Sequence, residues 1–174
     1  MTGRVLVAGV GNIFHGDDGF GSEVARRLAA EALPPEVRVV DYGIRGMHLT
    51  YELLDGYAAL VIVDAAPRGG EPGEVHLLEV GPEDLGDGEF DAHGMNPVAV
   101  LGSLAALGGR LPRTLVVGCE PAELDERIGL SAPVAAAVGP TVTAVVELLE
   151  RELGLPPPTR AQVPATSATH SLEG

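Results

Sequence analysis

The chain is predicted to fold as a three-layer α/β/α sandwich around a five-stranded, mostly parallel sheet with one antiparallel strand. Three observations lead there. The runs Val5–Val10, Ala58–Val63 and Thr114–Cys119 are apolar without alternation, as expected of strands covered on both faces. Segments of helical period separate them, the pattern of a parallel sheet with crossover helices. One connection, Ala65 to Pro72, spans too few residues for a crossover, so the strand after it must turn back.

Each element has a local reason. After the first strand, Gly9, Gly11 and Asn12 break the apolar run and lead into a polar loop carrying His15, Asp17 and Asp18. A helix from about Gly19 to Leu33 places Val24, Leu28 and Ala32 on one side and is stopped by Pro34-Pro35. Gly11 and Gly19 bracket the turn between strand and helix, and both are expected to be needed for backbone freedom. Strand two is Val37–Asp41, followed by the loop YGIRG and a short helix from Met47 to Leu54. Strand three ends directly before Asp64, and Val75–Val80 is the strand expected to run antiparallel at an edge.

Residues 81–93 form an acidic loop ending on His93, and a helix follows from Asn96 to Leu107. The last helix is expected over Ala132–Leu153, with Ser131 as N-cap and an interruption or kink at Pro140. Residues 1–154 are thus assigned to a single α/β domain. Residues 155–174, without apolar period, are assigned to a disordered C-terminal tail.

Composition narrows the function. The chain has 174 residues, enough for one domain with a substantial core. A formal charge of −14 argues against a nucleic-acid partner, which requires a basic face. All eleven basic residues are arginine, so Schiff-base chemistry and a Walker-type phosphate loop are excluded. Cys119 is the one cysteine, so no internal disulfide forms. No signal-like segment or membrane-length apolar run is read in the sequence, and the expected location is cytoplasmic.

Several site readings compete at the carboxyl ends of the strands, where ligands of open α/β sheets bind. The pair Gly9-Val10-Gly11 begins a dinucleotide fingerprint, but position 14 is Phe where the third glycine belongs, and two aspartates face the phosphates. Asp17, Asp18 and Asp64 resemble the acid pocket of a phosphoryl-accepting receiver domain, a signalling module. That pocket requires a lysine this chain lacks. Cys119, His93 and Asp64 would make a nucleophilic triad, although a cysteine ending a buried strand is ordinarily a core residue. Two carboxylates joined by His93 from separate loops make an oxygen and nitrogen donor set suited to nickel, zinc, manganese or ferrous iron. His15, His48, His76 and His170 have no spacing that recruits them.

The segments GVGNIFHGDDGFG, LVIVDA and AHGMNP, with VVGCEP and GLS further on, resemble the hydrogenase maturation endopeptidases over roughly residues 4–153. That family trims the C-terminus of the [NiFe] hydrogenase large subunit. The resemblance implies a metal-sensing and catalytic site of Asp18, Asp64 and His93, with aspartate at a first position where the family often has glutamate. It implies that the partner is a hydrogenase large-subunit precursor and that nickel arrives with it, zinc or another divalent ion being able to substitute. The alternative mechanism is a hydrolase that holds its own metal. The family loop G-T-x-G reads Gly43-Ile44-Arg45-Gly46 here, which introduces a cation. Gly43, Arg45 and Gly46 are therefore expected to contact substrate. The competing reading of Arg45 is a salt bridge to a neighbouring acid such as Asp41.

Overall fold

The computed structural model describes residues 3–84, 97–151 and 153–155, with backbone alone for 97–100. The sheet has the order β2-β1-β3-β5-β4. Its strands are β1 (Val5–Val10), β2 (Val37–Gly43), β3 (Ala59–Ala65), β4 (Val75–Val80) and β5 (Arg113–Cys119). The pairs β1–β2, β1–β3 and β3–β5 are parallel, and β4 runs antiparallel beside β5 at the edge. The short Ala65–Pro72 connection has the consequence expected of it.

Helices α1 (Phe20–Ala29) and α4 (Ala132–Arg151) cover one face of the sheet, packing on Val5, Val7, Val61, Val63, Leu115 and Val117. Helices α2 (Gly46–Leu53) and α3 (Pro97–Ala106) cover the other, over Leu6, Ala8, Leu60, Ile62 and Val116. The two sets alternate along each strand because successive side chains point to opposite faces. Both β1 and β3 are buried at every residue, hence their unbroken apolar sequence.

Several expectations need correction. Helix α1 ends at Ala29 rather than Leu33, one turn ahead of the proline pair. Pro140 lies inside α4 without interrupting it. That helix is also long and apolar enough to cross a membrane, at 20 residues and a hydropathy of 1.6, contrary to the reading that no run approaches this length. Its stripe of Val134, Val138, Val142, Val145 and Leu149 is taken up by the sheet. The chain stays packed beyond α4: Leu153 and Leu155 are buried, and the Leu155 amide donates to the Leu149 carbonyl. Residues 156–174, most of the expected tail, lie outside the described residues.

Glycines set how closely the first helix approaches the sheet. A Cβ at Gly21 would lie 2.2 Å from the Val63 carbonyl oxygen and 2.4 Å from that of Val10. One at Gly9 would meet the Gly21 carbonyl at 2.3 Å. These glycines allow close strand–helix packing. Gly11 has φ +131°, as expected, but Gly19 has an ordinary φ of −76° and is no backbone requirement of that kind. The positive φ later in the loop belongs to Gly16, at +58°.

A Cβ at Gly11 would also sit 1.9 Å from the Asp18 carbonyl oxygen. Gly11→Ala is therefore expected to lower unfolding free energy by about 2 kcal/mol or more, combining φ strain with displacement of Asp18. Urea unfolding measures this, and a loss within about 0.5 kcal/mol of zero, the range of a featureless surface change, would contradict it.

Candidate active site at the carboxyl ends of the strands

The loop after β1 closes into a 3-10 turn over Gly16–Gly19, which points its two aspartates in different directions. Asp17 is fully buried. Its Oδ2 accepts from the backbone amides of Ala122 and Glu123, each at 2.8 Å, and from the Ser131 hydroxyl at 2.8 Å. Its Oδ1 accepts from the Ser131 amide at 2.7 Å. Burial alone would push this carboxyl up, but hydrogen bonds from Glu123, Ser131 and Ala122 outweigh it, and the group titrates below its ordinary range. Asp17 is thus a staple holding the loop after β5 against the loop after β1. Ser131 does stand at the start of α4, its carbonyl accepting from Ala135, but its hydroxyl serves Asp17.

Asp18 faces the other way. Its Oδ2 accepts from the Asn12 amide at 2.7 Å, and the Asn12 side chain in turn accepts from the Phe14 amide at 2.9 Å. Asp64 is not beyond β3 but within it, opposite Gly118 of β5. Only 8% of its surface is exposed. Burial, and then the negative charge of Asp18, push its carboxyl well above the usual carboxylate range, against a smaller opposing effect of the Ala65 amide. The parallel pairing of β1 with β3 therefore brings these two acids together. Among the described residues no arginine or histidine forms an ion pair with either. His93 lies outside the described residues, and within them no cluster of three metal-ligating side chains occurs.

Beside the acids, a cleft of about 370 Å³ opens between the ends of β1 and β2, lined by Gly11 to Phe14 and Asp41 to Arg45. The Gly11 amide donates to the Gly43 carbonyl at 3.0 Å and ties the two walls together. Gly43, at φ +55°, and Arg45 lie in this wall; Gly46 is buried in the first turn of α2. Arg45 does not pair with the Asp41 carboxylate. Its guanidinium donates to the backbone carbonyls of Asp41 at 2.8 Å and Tyr42 at 3.2 Å, so it braces the loop from within.

Asp17, which the sequence suggests as a member of an open acid pocket, instead builds the site from within, and Glu120 is a second site-building acid that the sequence reading did not single out. Glu120 is buried at the end of β5 and accepts from the Arg68 amide at 2.7 Å, holding the loop after β3. A pairing of Asp17 with the serine of GLS was the available signal. Cys119 is buried, and burial followed by the charges of Asp17 and Glu120 pushes its thiol up to about 11, unlike the depressed value of a nucleophile.

The profile of the HycI family, hydrogenase maturation proteases, matches residues 22–148. A putative hydrogenase maturation protease of Methanocaldococcus jannaschii is 33% identical over 82% of this chain and 94% of its own length. The hydrogenase expression/formation protein HoxM of Cupriavidus necator is also 33% identical, over 95% of this chain and 84% of its own. Among solved structures, the hydrogenase maturating endopeptidase HybD from E. coli superposes with a TM-score of 0.74 at 28% identity, covering 87% of this chain and 94% of that one. The dinucleotide-binding and receiver readings find no support in these relatives. The chain belongs to the hydrogenase maturation protease family and is a peptidase of the α/β fold that HybD displays.

Proposed function

We propose that this peptidase removes a C-terminal extension from the nickel-loaded large-subunit precursor of a [NiFe] hydrogenase in the cytoplasm, and that Asp18, Asp64 and His93 grip the precursor's nickel. The observation that carries this reading is the acid pair. Two carboxylates share one end of the sheet, Asp64 is buried, and no cation among the described residues compensates them. Like charges so placed favour a divalent ion, and carboxylate with imidazole is a donor set that nickel accepts. His93 enters through the family resemblance, as the ligand from the acidic loop. Nickel belongs to the substrate here, and the residues orient it, so that cleavage waits for a metal-loaded precursor. The test is incubation of the protein with nickel-loaded and nickel-free precursor, followed by mass spectrometry of the precursor's C-terminus. Loss of the extension from the loaded form alone is expected; cleavage of neither form, or of both equally, would refute the reading.

Gly43, Arg45 and Gly46 are read as the loop that positions the substrate chain. Because Arg45 braces this loop through two carbonyls, Arg45→Ala is expected to slow cleavage roughly tenfold, as misplacement of binding groups does. The melting temperature should barely change, since the residue is exposed. Equal cleavage rates for variant and wild type would remove Arg45 from the site.

A further inference from the structure

Large apolar side chains crowd the mouth of the cleft beside the acid pair. Ile13 is 47% exposed, Phe14 59% and Ile44 62%, from two loops that face each other across the opening. Exposed side chains of this size on a hydrogen-bonded loop call for a partner surface. Several polar groups of the same walls are already engaged. The Asn12 side chain accepts from Phe14, the Asp41 carboxylate accepts from the Ser22 hydroxyl at 2.7 Å and the Gly43 amide at 3.0 Å, and Arg45 donates to two carbonyls. The Tyr42 hydroxyl has no hydrogen-bond partner among the described residues, but it is buried in the core under α2, away from a visitor to the cleft. What the Ile13, Phe14 and Ile44 side chains offer a visitor at the mouth of the cleft is apolar contact.

The position of the cleft relative to the acids is fixed. The Asp18 carboxylate holds the Asn12 amide, and Gly11 holds Gly43, so both apolar walls are anchored to the site within a few residues. From this geometry we infer that the cleft is a specificity pocket for a bulky apolar side chain of the precursor next to its scissile bond, gripped by Ile13, Phe14 and Ile44. This inference rests on the proposed processing of a precursor. Occupancy of the pocket would set the register of the substrate backbone over Asp18 and Asp64, a role in binding and not in bond cleavage.

The test uses the full-length protein and nickel-loaded precursor. Phe14→Ala and Ile44→Asp are compared with wild type in KM and kcat, and Ile44→Leu serves as rescue. Each precursor residue flanking the scissile bond is also replaced in turn by aspartate. KM is expected to rise about tenfold or more in Phe14→Ala and Ile44→Asp with kcat within about twofold, the discrimination a hydrophobic pocket supplies. Ile44→Leu should behave as wild type, one flanking aspartate should reproduce the rise in KM, and melting temperatures should not move. Unchanged KM in both protease variants, a fall confined to kcat, or indifference to every flanking aspartate would overturn the pocket while leaving the processing reading in place. Failure of the wild type to cleave any precursor would overturn both.

Discussion

Asp64→Asn is expected to cut processing of a nickel-loaded precursor about 100-fold or more, the scale of a lost orienting contact, while the variant melts no lower than wild type. The two effects part because the carboxylate is unfavourable to the fold and, in the proposed function, needed to grip the nickel. Asp64 is buried beside Asp18, and its pKa is raised by burial first and by that neighbour second. A raised folded-state pKa means that the folded chain takes up this proton more readily than the unfolded chain. Stability is then greatest below the unfolded value and falls as pH rises through the folded value, so at neutral pH Asp64 costs stability. Asparagine keeps the shape and removes the charge. Thermal melts against pH test the first half: wild type should gain stability as pH falls through the raised folded-state value of Asp64, and Asp64→Asn should lack that gain. Mass spectrometry of the precursor tests the second. A variant that both melts well below wild type and still processes would contradict the assignment on both counts.

Asp17→Ala should have the largest effect on the fold. The substitution orphans the amides of Ala122, Glu123 and Ser131 and the Ser131 hydroxyl at a fully buried position. Each such loss carries a desolvation penalty, and breaking a buried charged network costs about 3–5 kcal/mol. For a domain of this size that lowers the melting temperature by roughly 10 °C. Asp17→Asn should be little better, because its amide nitrogen would face donors. The sign of the pH effect is opposite to that of Asp64. A depressed folded-state pKa gives stability that is present above the ordinary value of 3.8 and lost as pH falls through the lower folded value. Wild type should therefore unfold steeply in acid, and the variant should lose that part of the pH dependence. A melting temperature within about 2 °C of wild type, worth less than 1 kcal/mol, would show that the staple is dispensable.

Much of this molecule is legible along the chain because its determinants are local. Apolar runs without alternation mark β1, β3 and β5 as strands covered on both faces, and the brevity of Ala65–Pro72 forces β4 to reverse. Strand ends in such a sheet gather at one edge, so the placing of Asp18 and Asp64 near each other follows from strand order once the fold class is known. Family motifs carry the processing role, and the proposed part of His93 rests on that resemblance alone.

What only the tertiary structure decides depends on partners distant in sequence. Asp17 and Asp18 are adjacent and chemically identical, yet the 3-10 turn sends one to the loop 122–131 and the other towards Asp64. Nothing local distinguishes them. Arg45 could equally have met the Asp41 side chain, and it met backbone carbonyls because the loop closes around Gly43 at positive φ. Gly9 is a glycine on account of the Gly21 carbonyl and Ala25, and Gly21 on account of the Val63 and Val10 carbonyls, a close approach between strand and helix that spacing alone does not reveal. Local pattern determines which residues are strand or helix and where the strand ends lie. The roles of individual acids and glycines are set by hydrogen bonds and steric contacts across the fold, which exist only after it has closed.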